Sequence, residues 1–66
     1  MAITYKAARV NAGLTQKEAA KRLGVTVQSL CNYEKGRRVP KVVIVQKMCV
    51  AYGCKMDDII LPEISN

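Results

Sequence analysis

Residues 14–36, LTQKEAAKRLGVTVQSLCNYEKG, hold two helical patterns separated by a single glycine, and a chain that turns so tightly has few ways to pack. Thr15 offers its hydroxyl as N-cap while Glu18, three residues on, reaches back to close a capping box, which starts a helix at Gln16. Ala19, Ala20 and Leu23 recur at helical spacing, and Gly24 follows where a left-handed C-cap favours a residue without a β-carbon. Val25 can plug the corner between the helices. Thr26 caps a second helix over residues 27–35, with Leu30 and Tyr33 turned inward and Gly36 ending it.

The flanking segments also read as helical. Residues 4–11 form a short helix with Tyr5, Ala8 and Ala12 inward, ended by Gly13. Residues 41–52 are ambiguous by propensity, because Val42, Val43, Ile44, Val45 and Val50 are β-branched and each costs a helix a few tenths of a kcal/mol against alanine. Ile44, Val45, Met48, Cys49 and Tyr52 nevertheless make an i, i+4 stripe. A lone strand would have no partner in the chain, so helix is the expectation. A last helix over residues 56–61 carries Asp57 and Asp58 in its first turn, where the dipole favours anions, and Pro62 stops it. The expected class is all-α, a compact five-helix single domain spanning residues 1–66, with a helix-turn-helix at about 15–35.

Charge is distributed unevenly. Through residue 41 there are nine basic and two acidic side chains, whereas from residue 42 onward two lysines face Asp57, Asp58 and Glu63. Clustered positive charge beside two short helices is the expected electrostatic footprint of a nucleic-acid binder. Catalysis is disfavoured: no histidine and only five carboxylates leave no assembled general base, nucleophile pair or glycine-rich phosphate loop, so the chain is read as no enzyme and as needing no cofactor. Three cysteines make no even disulfide framework, and with no histidine they make a poor metal site. Cys49 and Cys54 are expected in the core and Cys31 partly exposed. The apolar runs are too short to span a bilayer and no secretory leader is apparent, which points to the cytoplasm.

The second helix of the unit presents chemistry on its outer face. Gln28 and Asn32 lie four apart and point the same way, and each amide can pair bidentately with N6 and N7 of adenine, which makes them candidate base readers. Val27 can meet a thymine methyl. Ser29 can reach a phosphate or a base edge, or be merely solvated. Gln16 and Lys17 open the first helix of the unit, whose positive end suits a backbone phosphate. Lys35, Arg37, Arg38 and Lys41 surround the following loop as candidate phosphate clamps, and an arginine there can approach the minor groove.

At Leu14-Thr15-Gln16, Ala20, Gly24, Leu30, Glu34 and Gly36 before Pro40, the chain resembles the Cro and phage-repressor type of helix-turn-helix protein, the XRE family. The likeness extends more weakly over residues 5–61. Ala19 stands where the family commonly has leucine, Lys41 and Lys55 replace small polar caps, and Cys49 and Cys54 occupy positions usually aliphatic or alanine. The resemblance implies a lambda-repressor-like DNA-binding domain, a DNA contact at Gln16, and a structural ion pair between Arg9 and Glu34. The function then expected is sequence-specific regulation of transcription on double-stranded DNA, by a bacterial or phage-encoded repressor. A homodimer is expected through Ile59, Ile60, Leu61, Pro62 and Ile64, reading half-sites about 34 Å apart. The alternative is an interaction module, such as an antitoxin or antirepressor, acting through an unidentified protein partner.

Overall fold

The computed structural model describes residues 3–57 and contains four α-helices: α1 (Tyr5–Asn11), α2 (Gln16–Leu23), α3 (Val27–Glu34) and α4 (Val42–Tyr52). No strand is formed among the described residues. Three of the four helices start on a threonine hydroxyl. Thr4 accepts from the N–H of Ala7, Thr15 from that of Glu18 and Thr26 from that of Ser29, each satisfying a donor that the first helical turn leaves unpaired. The Glu18 carboxylate completes the capping box by accepting from the Thr15 N–H at 3.0 Å. Those bonds, the backbone one foremost, hold the Glu18 carboxyl below its ordinary pKa. α4 starts on Lys41 with no side-chain cap.

At the corner of the unit, Gly24 takes φ 72° and Val25 N–H reaches back to the Ala20 carbonyl at 3.0 Å, a left-handed cap that terminates α2 and turns the chain into α3. Val25 thereby packs against the core, as its plugging role requires. Gly53 repeats the device at the end of α4, with Cys54 N–H on the Cys49 carbonyl.

Leu23, Leu30 and Met48 are the largest fully buried side chains, and Ala19 and Ala20 are buried with them. α2 packs against both α3 and α4. The alanine at position 19 therefore stands in the crowded middle of the molecule. α4 is helical against its propensity because packing decides it: Met48 and Tyr52 enter the core while Ile44, Val45 and Cys49 line its edge. Burying a Leu or Met side chain stabilises by about 1.5–3 kcal/mol, which exceeds the few tenths lost at each β-branched residue.

Four features depart from the sequence expectations. Ala12 is exposed, because it is the C-cap of α1 and not part of its inner face. Cys49 and Cys54 are only partly buried, as Cys31 is, since Cys49 lies at the edge of the inner face of α4 and Cys54 follows the Gly53 turn at the rim of the core. The first, third and fourth helices are each shorter by a residue than expected, because Thr4, Lys35 and Lys41 serve as caps. Among the described residues there are four helices where five were expected over the chain: Met56 and Asp57 stand in a turn, and the rest of the expected last helix lies outside the described residues. The expected dimer residues Ile59, Ile60, Leu61, Pro62 and Ile64 also lie outside them.

Candidate nucleic-acid interface

α3 is anchored by Leu30 and Tyr33, which face the core, so the residues on its other side are presented outward. Gln28 is exposed and Asn32 half-buried, and the Gln28 Nε2 donates to Asn32 Oδ1 at 3.3 Å. That bond lets the two amides act as one unit. It leaves the Gln28 carbonyl as an acceptor, one Gln28 N–H and both Asn32 N–H groups as donors, and a second lone pair on Asn32 Oδ1. Val27 begins the same helix with 43% of its surface exposed. Ser29 is half-buried and engaged in the cap: its N–H donates to Thr26 Oγ1 at 3.0 Å and its hydroxyl oxygen accepts from the Thr26 hydroxyl at 2.9 Å. Its own O–H remains a donor.

Behind this face lies a buried polar network. Arg9 Nε donates to Glu34 Oε2 at 2.7 Å and its Nη2 to Oε1 at 3.3 Å, a two-point contact between side chains that are 7% and 3% exposed as residues. Arg9 Nη1 also donates to the Leu14 carbonyl at 2.8 Å, which ties α1 to the entrance of α2. The Gln16 side chain joins them, its Nε2 donating to Glu34 Oε1 at 3.1 Å. Gln16 is thus half-buried and locked to α3 instead of being free at the surface, with its carbonyl oxygen and its second N–H left over. Tyr52 approaches from α4 with its hydroxyl buried and, among the described residues, without a hydrogen-bond partner, so it meets the network through charge alone. Burial first, then the Glu34 charge, push the Tyr52 pKa up to about 12, against the opposing pull of Arg9. The Leu14 carbonyl and the Tyr52 hydroxyl were not legible as members, because a main-chain oxygen carries no residue signature and Tyr52 reads as ordinary core.

The loop after α3 folds back on that helix. The N–H groups of Arg37 and Arg38 both donate to the Asn32 carbonyl, at 2.9 and 3.4 Å. The Arg38 guanidinium lies over the Tyr33 ring, 5.7 Å from its centroid. Lys17, Lys35, Arg37, Arg38 and Lys41 are all exposed, and among the described residues no carboxylate stands within ion-pair distance of them. The structure therefore gathers Gln28, Asn32 and Val27 on α3, with cations at its end, and diverts Gln16 into the ion-pair network. Among the described residues no group of histidine, cysteine and carboxylate side chains could hold a metal ion, and no helix is long and apolar enough to cross a membrane.

A helix-turn-helix family model, HTH_3, matches residues 6–59. The chain belongs to the XRE family of helix-turn-helix proteins. It is 34% identical over 61 residues to YgzD of Bacillus subtilis, covering 92% of each chain. It is 38% identical over 50 residues to MJ0272 of Methanocaldococcus jannaschii, covering 76% of each. A Methanothermobacter thermautotrophicus protein is 42% identical over 45 residues, which is 68% of this chain and 65% of that one. All three are described as uncharacterized HTH-type transcriptional regulators. No solved structure matches at the same significance.

Proposed function

We propose that this XRE-family chain is a transcriptional regulator that binds double-stranded DNA sequence-specifically, as a homodimer on a near-palindromic operator, and represses by occluding the promoter. The observation that carries the reading is the hydrogen-bonded Gln28–Asn32 pair on the outward face of α3, bordered by exposed cations that no carboxylate among the described residues neutralises. α3 enters the major groove. Gln28 and Asn32 meet adenine edges, Val27 meets a thymine methyl, and Ser29 with its spare O–H meets a phosphate. Gln16, Lys17, Lys35, Arg37, Arg38 and Lys41 hold the sugar-phosphate backbone and set the register. No catalytic step is assigned, and the site of action is the cytoplasm, where a bacterial or phage operator lies. The names of the relatives support transcription regulation.

Selection of bound sequences from a random duplex pool, followed by footprinting, tests this. A near-palindromic motif protected over two half-sites is expected. Retention of all duplexes alike at moderate salt, or protection of one half-site by a monomer, would overturn it.

A further inference from the structure

Each of the four helices is closed by the same device, a glycine of positive φ whose following N–H donates back across the turn. Leu14 donates to the Arg9 carbonyl at 3.2 Å, Val25 to that of Ala20 at 3.0 Å, Arg37 to that of Asn32 at 2.9 Å and Cys54 to that of Cys49 at 3.1 Å. This cap sets the residue of the last helical turn and the residue after the glycine side by side, a place where an apolar contact is usual. Ala20 and Val25 conform to that rule after α2. After α4 both places are held by cysteine, and both side chains pack against the edge of the core. Of the four caps, this one alone joins two side chains that can bond to each other covalently.

With standard covalent geometry, the Cys54–Cys49 backbone bond keeps the two Cα atoms within about 7 Å, the limit for bridging two cysteines without moving the backbone. Both thiols are partly exposed, so a small oxidant can reach them, and the position of a Cβ at Gly53 meets open space, so the outer side of the turn is uncrowded. In a reducing compartment such a pair is a dithiol that closes when an oxidant arrives. We propose that Cys49 and Cys54 are a redox-active pair, oxidised by low-molecular-weight disulfides to an intramolecular bond across the α4 cap. One cysteine, as its thiolate, attacks a sulfur of the oxidant, forms a mixed disulfide and expels one thiolate. The second, after losing its proton to water, attacks the protein sulfur of that mixed disulfide and expels the other. Two electrons pass from the pair to the oxidant, which leaves as two thiols carrying the two protons. Cys31 of α3 belongs to no cap pair, so its modification stops at the mixed disulfide. The inference is independent of DNA binding.

Equilibration of the full native chain with mixtures of oxidised and reduced glutathione, then acid quenching, alkylation, trypsin and mass spectrometry, provides the test. Cleavage after Lys47 and Lys55 releases residues 48–55, which hold both thiols and exclude Cys31. That peptide is expected about 2 Da lighter and without bound glutathione, while Cys31 carries at most the mixed disulfide. The same titration in urea gives the unfolded reference, against which the effective concentration of the native pair is expected to be at least about tenfold higher. By linkage, the oxidised chain then has a folding equilibrium constant larger by that same factor, which denaturation of the two forms reads independently. Gly53→Val, disfavoured at φ 69°, is expected to lower the native value, whereas Gly53→Asn holds it, with circular dichroism checking that both fold. Equal effective concentrations in the native and unfolded chain would overturn the inference. So would glutathione resting separately on Cys49 and Cys54 in the folded protein, or a peptide that keeps both thiols until the chain unfolds.

Discussion

Gln16 and Gln28 are the same residue type at the first turns of adjacent helices, and their surroundings make them different instruments. Gln16 is held from behind by a buried carboxylate that also carries Arg9, so its freedom is spent on the scaffold. Gln28 is exposed and bonded only to another exposed-face amide, Asn32, at a length near the limit of a hydrogen bond. A bond of that kind exchanges easily with a base edge, whereas surrendering the one at Gln16 leaves Glu34 Oε1 with only the longer contact from Arg9 Nη2. The lesson is that the rigid region fixes where the adaptable one arrives, and in the proposed function only the latter reads sequence.

The comparison can be broken most forcefully on its rigid side. Glu34→Ala should destabilise by about 3–5 kcal/mol, because it strands the buried Arg9 guanidinium and releases Gln16 together. Chemical denaturation measures this; a loss within about 1 kcal/mol would show that the network is no keystone. The alkaline limb of stability sharpens the same side. Burial pushes the Tyr52 pKa up to about 12 from the ordinary 10.0, so the unfolded chain loses its proton first. The contribution is intact below pH 10 and is lost as pH rises toward 12, by about 1–2 kcal/mol in total once solvent screening is allowed for. A Tyr52→Phe variant should flatten that decline between the two values, as denaturation across an alkaline series would reveal.

On the adaptable side, Gln28→Ala or Asn32→Ala should cost about 1–3 kcal/mol on the selected site and relax preference at particular base pairs, leaving fold stability almost unchanged. Discrimination that survives both substitutions would remove α3 from the reading role. The smallest effect belongs to the clamps. Arg37→Ala or Lys41→Ala should weaken selected and random duplexes alike and lower the slope of log affinity against log salt by about 1 for each phosphate contact removed, twice that in a dimer. Arg38→Ala should also disturb the loop, since its guanidinium rests on Tyr33, and a salt series on all three variants separates the two behaviours.

Much of this architecture was legible because local chemistry announces it. Thr15, Glu18 and Gly24 specify the start, the lock and the end of α2 by short-range bonding alone, and the structure has all three. The identity of α4 was harder, for its valines favour a strand and only the buried stripe through Met48 and Tyr52 decides for a helix. The outward set on α3 followed from helical spacing. The attachment of Gln16 to Glu34 did not, because it joins residues from different helices and depends on how closely those helices approach. Likewise nothing in the sequence separates Arg38 from Arg37; the position of the Tyr33 ring does so.

Asn32 contributes to the loop through its main-chain carbonyl and to the outer face through its side chain. The two contributions are chemically independent, since every amino acid supplies the same carbonyl. If Asn32 reads a base as proposed, descendants of a duplicated gene can exchange the side chain at this position, and with it their genomic address, while inheriting the loop anchorage unaltered, so that new regulatory circuits arise by small steps without each having to reinvent its hold on the double helix.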